Sequence, residues 1–334
     1  MTVTPQTNAT LAEIASELKA RDNFVICGHV SPDGDCIGSQ LALAYALRAI
    51  GKNVACVLVK DEPIDFNLRF LPGAEDLVFA GAYVGVCDTF VAVDVPNRER
   101  IGVDAAALLD AAGFSITIDH HAVPERMTDL DYTDPDAAST TMLIWEVAQL
   151  LCDEPPYACA QCAYTGLVTD TGCFQYQNTD VAALESAASM IAAGVVPSEI
   201  TREVMQNASI PSLKLQARVI DRMAFSENKA AVVSYVTVSD FEELGAAKSD
   251  AEPLVNVLRS VRGVRVAAML REQDEEIRCS LRAKDDTDVA QVARMFGGGG
   301  HKAAAGCTLE MPLDDAIRAV GEAIDSLVEE GAER

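Results

Sequence analysis

Short β-rich apolar runs alternating with helical stretches in the first half constrain this chain more than any other feature. Residues 24–27, 54–59, 90–93 and 115–118 read as strands, and the alternation predicts a parallel α/β sheet. A helix is expected from about 36 to 50, stopped by Gly51, with two more over 139–151, capped by Ser139 or Thr140, and 157–168. Three of the runs end on metal-ligand chemistry: His29 follows the first, Asp94 the third, and Asp119-His120 the fourth. In open α/β sheets the ligand crevice lies beyond the carboxyl ends of the strands, so the fold gathers groups that chain order scatters.

The chain has only four histidines, and all sit in acidic or glycine-rich clusters. His29 shares the loop Gly28-His29-Val30-Ser31-Pro32-Asp33-Gly34-Asp35, where Pro32 and Gly34 tighten the turn and aim His29, Asp33 and Asp35 at one point. Two carboxylates so close repel unless something positive lies beside them; the alternative is a solvated turn with an aspartate helix cap. Asp119-His120-His121 sends adjacent side chains in different directions, so one imidazole can ligate metal while the other faces substrate. Asp119 can orient a ring through its second N–H. Asp94 alone would be an ordinary loop cap, but beside the other loaded strand ends it becomes a candidate bridge between two cations. Asp170, in Leu167-Val168-Thr169-Asp170-Thr171-Gly172, adds a carboxylate. The set His29, Asp33, Asp35, Asp94, His120 and Asp170 suits two metals with positions left for water and substrate. Imidazole and carboxylate favour Mn, Fe(II) or Zn.

Composition limits the alternatives. A length of 334 residues allows two domains. No apolar stretch reaches the ~20 residues of a membrane helix, and the polar N-terminus lacks a secretory layout, so no membrane partner and a cytoplasmic protein are expected. The ten cysteines read as reduced, mostly buried small hydrophobes, since the one C-x-x-C, Cys159 to Cys162, has no second pair for a zinc site. The net charge of −25 argues against long duplex nucleic acid. Residues 255–302 hold nine Lys+Arg against seven Asp+Glu, a local +2 in a chain whose remainder is −27, so an anionic substrate should be small and locally held.

A helical stretch over about 178–218, broken at Gly194 and Pro197, reads as a connector. The expected division is a catalytic domain over 1–185, a helical linker over 186–214, and a smaller α/β substrate-binding domain over 215–334. In the latter, a strand over 230–238, a helix over 254–261, a hairpin of 265–270 and 277–282 turning around Gln273-Asp274-Glu275, and a helix over 313–329 are expected. Arg278, Ser280, Arg282 and Lys284 alternate along one strand and share a face, which reads as a phosphate clamp rather than a merely exposed basic face. The run Gly297-Gly298-Gly299-Gly300 before His301 is followed at once by structured sequence. It reads as a ligand loop whose N–H groups approach a phosphate, rather than a linker.

Together these motifs resemble the DHH phosphoesterase superfamily, and within it the small two-domain nanoRNase type, over residues 11–327. The resemblance implies a DHH domain, a DHH-associated C-terminal domain, and hydrolysis of short oligoribonucleotides and of 3′-phosphoadenosine 5′-phosphate (pAp). It implies two Mn²⁺, with Mg²⁺, Co²⁺ or Fe²⁺ as substitutes: one on His29, Asp33 and Asp94, the other on Asp35, Asp94, His120 and Asp170. His121 would contact the scissile phosphate, with Asp94 and Asp119 completing the catalytic group. Arg278, Ser280, Arg282, Lys284, Gly298, Gly299, Gly300 and His301 would bind substrate, and a homodimer is implied. The stretch Asp170-Thr171-Gly172-Cys173-Phe174-Gln175-Tyr176 departs from relatives by carrying Gln175 where many have arginine. The rivals are a phosphodiesterase for c-di-AMP or pApA, a manganese pyrophosphatase, and a nucleotide sensor that binds without cleaving. A sensor would be expected to lack a metal ligand.

Overall fold

The apolar runs form one parallel sheet in the computed structural model, which describes residues 7–122, 126–251, 253–273, 276–300 and 302–330. β1 (Phe24–Cys27), β2 (Val54–Leu58), β3 (Val78–Phe79), β4 (Thr89–Val93), β5 (Phe114–Asp119) and β6 (Leu130–Thr133) lie in the order β3-β2-β1-β4-β5-β6, every pair parallel. From β1 the chain builds outward to β3, then returns to the other side of β1 and builds out again. Strand order therefore reverses between β1 and β4, which is where such sheets hold ligands.

Helices cover both faces. On one lie α1 (Leu11–Ala20) and α2 (Gly34–Ala49); on the other lies α3 (Gly102–Ala111), with Ala105 and Leu109 packed against Val25, Cys27 and Phe90. α4 (Thr140–Leu151), α5 (Tyr157–Asp170), α6 (Val181–Ala192) and α7 (Pro197–Met205) join the first face. α2 is buried almost all round. Glycine lets it cross its neighbours closely: a Cβ on Gly38 would stand 2.7 Å from the Cys162 carbonyl oxygen of α5. A Cβ on Gly166 would meet Thr141 Cγ2 of α4 at 2.4 Å and Asp35 Cα of α2 at 3.0 Å. This crossing brings the N-termini of α2 and α4 and the C-terminus of α5 to one corner.

The chain divides into two compact units, Met1–Asn207 and Ala208–Arg334. Of the stretch expected as a connector, α6 and α7 bury Ala187, Met190 and Ile200 in the first core. The second unit comprises α8 (Ile210–Asp221), β7 (Ala224–Phe225), β8 (Ala231–Val236), α9 (Val238–Leu244), α10 (Leu254–Ser260), β9 (Val266–Glu272), β10 (Ile277–Ala283), α11 (Ala290–Met295), β11 (Gly299–Gly300), β12 (Ala304–Leu309) and α12 (Leu313–Glu330). Its sheet runs β11-β12-β10-β9-β8-β7, parallel only at β8–β9. α11 and α12 pack on one face, α8 and α10 on the other. Asp274 and Glu275 of the expected hairpin turn lie outside the described residues. Among the described residues no single helix is long and apolar enough to cross a membrane.

Asp240 ties the second unit together. It is 1% exposed, accepts from the Thr237 amide at 2.8 Å as part of a capping box, and accepts from Arg218 at 3.1 Å and from both terminal guanidinium nitrogens of Arg222. Burial alone would raise its pKa, but Arg222 and Thr237 outweigh burial and hold it at about 2. A folded pKa below the unfolded value of ~3.9 means stabilisation that is complete above pH ~4 and lost as pH falls toward 2. Asp240→Asn is expected to destabilise this unit by about 2–4 kcal/mol at neutral pH, and the deficit should shrink in acid. A denaturation midpoint that matches wild type at pH 7 would refute the assignment.

Candidate metal and phosphate site

The loop after β1 carries His29, and Asp33 caps α2 by accepting from the amides of Asp35 at 3.1 Å and Cys36 at 3.0 Å. Asp33 therefore caps α2, and the same carboxylate also lies 3.8 Å from His29 Nε2. Gly34 between the two aspartates is required by proximity, since a Cβ there would stand 2.3 Å from Thr169 Oγ1 of α5. Asp35 points into the corner between helices. Its two oxygens accept from the buried amides of Thr140 at 2.7 Å and Thr141 at 2.9 Å, N–H groups at the start of α4 that have no partner within the helix.

Asp94, just past β4, is the centre of the cluster. Oδ2 lies 3.5 Å from His29 Nε2, while Oδ1 lies 3.5 Å from His120 Nε2 and 3.6 Å from His121 Nδ1. The Thr140 hydroxyl donates to Oδ1 at 3.0 Å. The Asp94 backbone sits at φ +54°, in the left-handed region that non-glycine residues occupy at a cost. His120 Nε2 also faces Asp35 at 3.8 Å and Asp170, the last residue of α5, at 3.9 Å. His120 Nδ1 faces the Ala137 carbonyl at 3.2 Å, which orients the ring and leaves Nε2 toward the carboxylates. His121 Nδ1 bonds Asp119 at 2.8 Å.

All eight residues expected in the first unit therefore converge. Donor atoms from Asp35, His120 and Asp170 lie within 4.8 Å of one another, as do those of Asp94, His120 and His121. Two ligands ~2.1 Å from one ion are at most ~4.2 Å apart, so the 3.5–3.9 Å imidazole–carboxylate separations fit shared cations. The electrostatics agree. Burial opposes charging His29, but Asp33 and Asp94 carry its pKa up to about 10. Burial opposes charging His120 likewise, and Asp170, Asp94 and Asp35 carry it to about 10. Burial pushes Asp170 up to about 7, with His120 acting against it. Burial and the charges of Asp94 and Asp170 raise Asp35. Asp94 goes the other way: burial would raise it, but the three imidazoles hold it low. Such a cluster demands positive charge, which is the condition for a metal site.

Sequence reading passed over two partners. Cys36 places its sulfur with His29 and Asp94 in a third group of potential ligands, although burial keeps its thiol far above the ordinary range. Thr140 was seen only as a cap. Its position as the first residue of α4 is a usable signal, but its bond to Asp94 spans 46 residues.

In the second unit, Ile277, Cys279, Leu281 and Ala283 are buried while Arg278, Ser280, Arg282 and Lys284 share the other face. Lys284 Nζ donates to the Val261 carbonyl at 2.9 Å, at the end of α10. Arg271 of β9, missed in the sequence, stands directly opposite Arg278. Like charges so paired repel, and an anion between them relieves the repulsion. The glycine run lies flat on β12: a Cβ on Gly298 would meet the Gly306 carbonyl oxygen at 2.2 Å, and one on Gly300 the Ala304 carbonyl oxygen at 2.6 Å, whereas Gly299 faces open space. His301 lies outside the described residues.

Residues 23–167 match the DHH family N-terminal domain and 228–330 the DHHA1 domain. The bifunctional oligoribonuclease and PAP phosphatase NrnA of Thermus thermophilus is 34% identical over 93% of this chain and 92% of its own. The chain belongs to the DHH phosphoesterase family. It is a phosphoric ester hydrolase. The protein of the same name in Bacillus subtilis is 30% identical over 89% of this chain and 92% of its own. A solved structure of an exopolyphosphatase-related protein from Bacteroides fragilis superposes with a TM-score of 0.87 at 26% identity, covering 96% of this chain and 97% of that one. DHH phosphoesterases depend on metal, and the imidazole–carboxylate donor set here fits that dependence.

Proposed function

We propose that this DHH enzyme hydrolyses short oligoribonucleotides to mononucleotides and pAp to AMP, in the cytoplasm, with two divalent cations, Mn²⁺ first and Mg²⁺, Co²⁺ or Fe²⁺ as substitutes. The observation that carries the reading is Asp94, whose two oxygens face two different imidazoles at 3.5 Å, the arrangement of a bridging ligand. His29, Asp33 and Asp94 would hold one cation, and Asp35, Asp94, His120 and Asp170 the other. The NrnA relatives, named for oligoribonuclease and PAP phosphatase activity, support the substrate class.

Bound cations neutralise phosphoryl oxygens and lower the pKa of water. The protein's own groups do the rest. Thr140 and Thr141 amides fix the Asp35 carboxylate, and the Thr140 hydroxyl fixes Asp94. Burial resists charging His121, but its bond to Asp119 raises its pKa and orients the ring, which leaves Nε2 for a phosphoryl or leaving oxygen. In the second unit Arg278, Ser280, Arg282, the glycine run and His301 anchor a terminal phosphate and its nucleotide. Anchoring one end of a small substrate suits a chain of net charge −25.

The deciding experiment compares Mn²⁺-dependent turnover of pAp, a labelled RNA pentamer, c-di-AMP and pyrophosphate. Stepwise shortening of the pentamer with phosphate release from pAp is expected; turnover of c-di-AMP or pyrophosphate alone would replace the reading. Within the second unit, Arg278→Ala is expected to raise KM for pAp roughly 10- to 100-fold, the worth of a charge-assisted hydrogen bond. Lys284→Ala should change it far less, because that ammonium already donates to a backbone carbonyl. Equal effects at the two positions would dissolve the distinction.

A further inference from the structure

Cys279 of β10 and Cys307 of β12 stand directly opposite each other in the antiparallel ladder. Both are free thiols on the face covered by α11 and α12, beside Leu281 and Ala305, and are 3% and 7% exposed. The bond from the Ala283 amide to the Ala303 carbonyl, 2.8 Å, fixes the phase of the ladder. Four residues along each strand, the two cysteines are therefore a hydrogen-bonded pair, with Cα atoms about 5.5 Å apart. Disulfides span that Cα distance. Their Cβ atoms, however, stand about 3.8 Å apart, whereas residues facing each other in a ladder start about 4.5–5.5 Å apart. A bond here closes only by drawing the two side chains together, and a disulfide closed under strain is easily reduced.

The surroundings set the order of events. On its other side β12 pairs with the short edge strand β11, and the residue against Cys307 is Gly298, where a Cβ would stand 2.6 Å from Cys307 Cβ. Gly298 has no side chain to cover the sulfur, so Cys307 is the thiol nearer the open edge. The contact with Cys279 also holds the Cys307 thiol below the ordinary thiol range, while that contact and burial raise Cys279. Cys307 is thus the thiol that reacts first, and Cys279 the one that resolves it.

We propose that Cys279 and Cys307 are a reversible dithiol–disulfide couple, a modification site for peroxide that shifts the glycine run when it closes. The Cys307 sulfur attacks one peroxide oxygen, the O–O bond breaks, and water leaves behind a sulfenic acid. Cys279 then attacks that sulfur, the S–O bond breaks, and a second water leaves. Two thiols and one hydrogen peroxide give one disulfide and two waters. Two molecules of a small thiol such as glutathione reverse the step by exchange and leave as their own disulfide. Closing the bond draws Cys307 toward β10 and away from Gly298, which loosens the pairing of Gly299 with Gly306 and of Gly300 with Ala305. Any consequence for nucleotide anchoring rests on the role proposed above for the glycine run; the couple itself does not.

Peptide mapping of the full chain after peroxide treatment tests this without substrate, so its failure stands apart from failure of the phosphoesterase reading. Free thiols are alkylated before trypsin, which cuts after Arg278, Arg282, Lys302 and Arg318. The expected product is residues 279–282 linked to residues 303–318, two hydrogens lighter than the sum, and glutathione should release it. Hydrogen exchange at Gly299 and Gly300 should quicken roughly tenfold in the oxidised protein, and peroxide-treated Cys279→Ser should show no such change. Both peptides alkylated, another pair of cysteines linked first, or exchange at the glycine run unmoved by the bond would each overturn the proposal. The mapping uses the wild-type chain, so it decides the matter even where the serine variant is unstable.

Discussion

Asp94→Ala is expected to lower turnover about 10³-fold or more on every substrate, the loss that follows if this carboxylate bridges two cations as proposed. The same substitution separates chemistry from strain. Asp94 holds φ +54° at the end of β4, a conformation glycine adopts freely and alanine does not. Asp94→Gly should therefore be as inactive as Asp94→Ala yet more stable by about 1 kcal/mol. Turnover of the alanine protein within roughly tenfold of wild type would remove Asp94 from the centre of the reaction. Identical denaturation curves for the two variants would leave the positive φ without energetic weight.

The second large effect is expected from metal loading. Without metal, carboxylates hold His29 and His120 protonated at neutral pH, with pKa values near 10 against an ordinary 6.5. Ligation through Nε2 requires the neutral ring. Loading must therefore expel protons, about one from each imidazole, and affinity must rise with pH as those protons become easier to remove. Mn²⁺ at 100 times its Kd should stabilise the protein by about 2.7 kcal/mol, raising the first unit's melting temperature roughly 5–10 °C. Asp94→Ala should lose most of that gain. Calorimetry in two buffers of different ionisation enthalpy counts the protons directly. Buffer-independent heats, or melting indifferent to Mn²⁺, would mean the cluster is not the metal site.

Little of the candidate centre needed the fold to be found. Apolar runs punctuated by glycine, proline and aspartate are short-range signals, so β1, β4 and β5 and the groups at their ends were legible, as were α4 with its Ser139 cap and α5. Elements with weak local patterning were not. β6 is an edge strand that alternates acid with apolar residues, and β12 reads as Ala-Ala-Gly until β10 pairs with it. Arg271 looked like any surface arginine because only strand register sets it opposite Arg278.

The sequence by itself determined which residues offer ligand chemistry and that His29, Asp94 and Asp119-His120 lie at the carboxyl ends of strands, because residue type and hydrophobic period are local properties. Only the tertiary structure decided how they meet. The amides holding Asp35 come from 105 and 106 residues away, Asp94 turns its two oxygens apart from a left-handed backbone, and Gly34, Gly38 and Gly166 allow three helix ends to touch. These are facts of register, backbone angle and close approach between distant segments, and no local pattern encodes a distance between parts of the chain that meet only after folding.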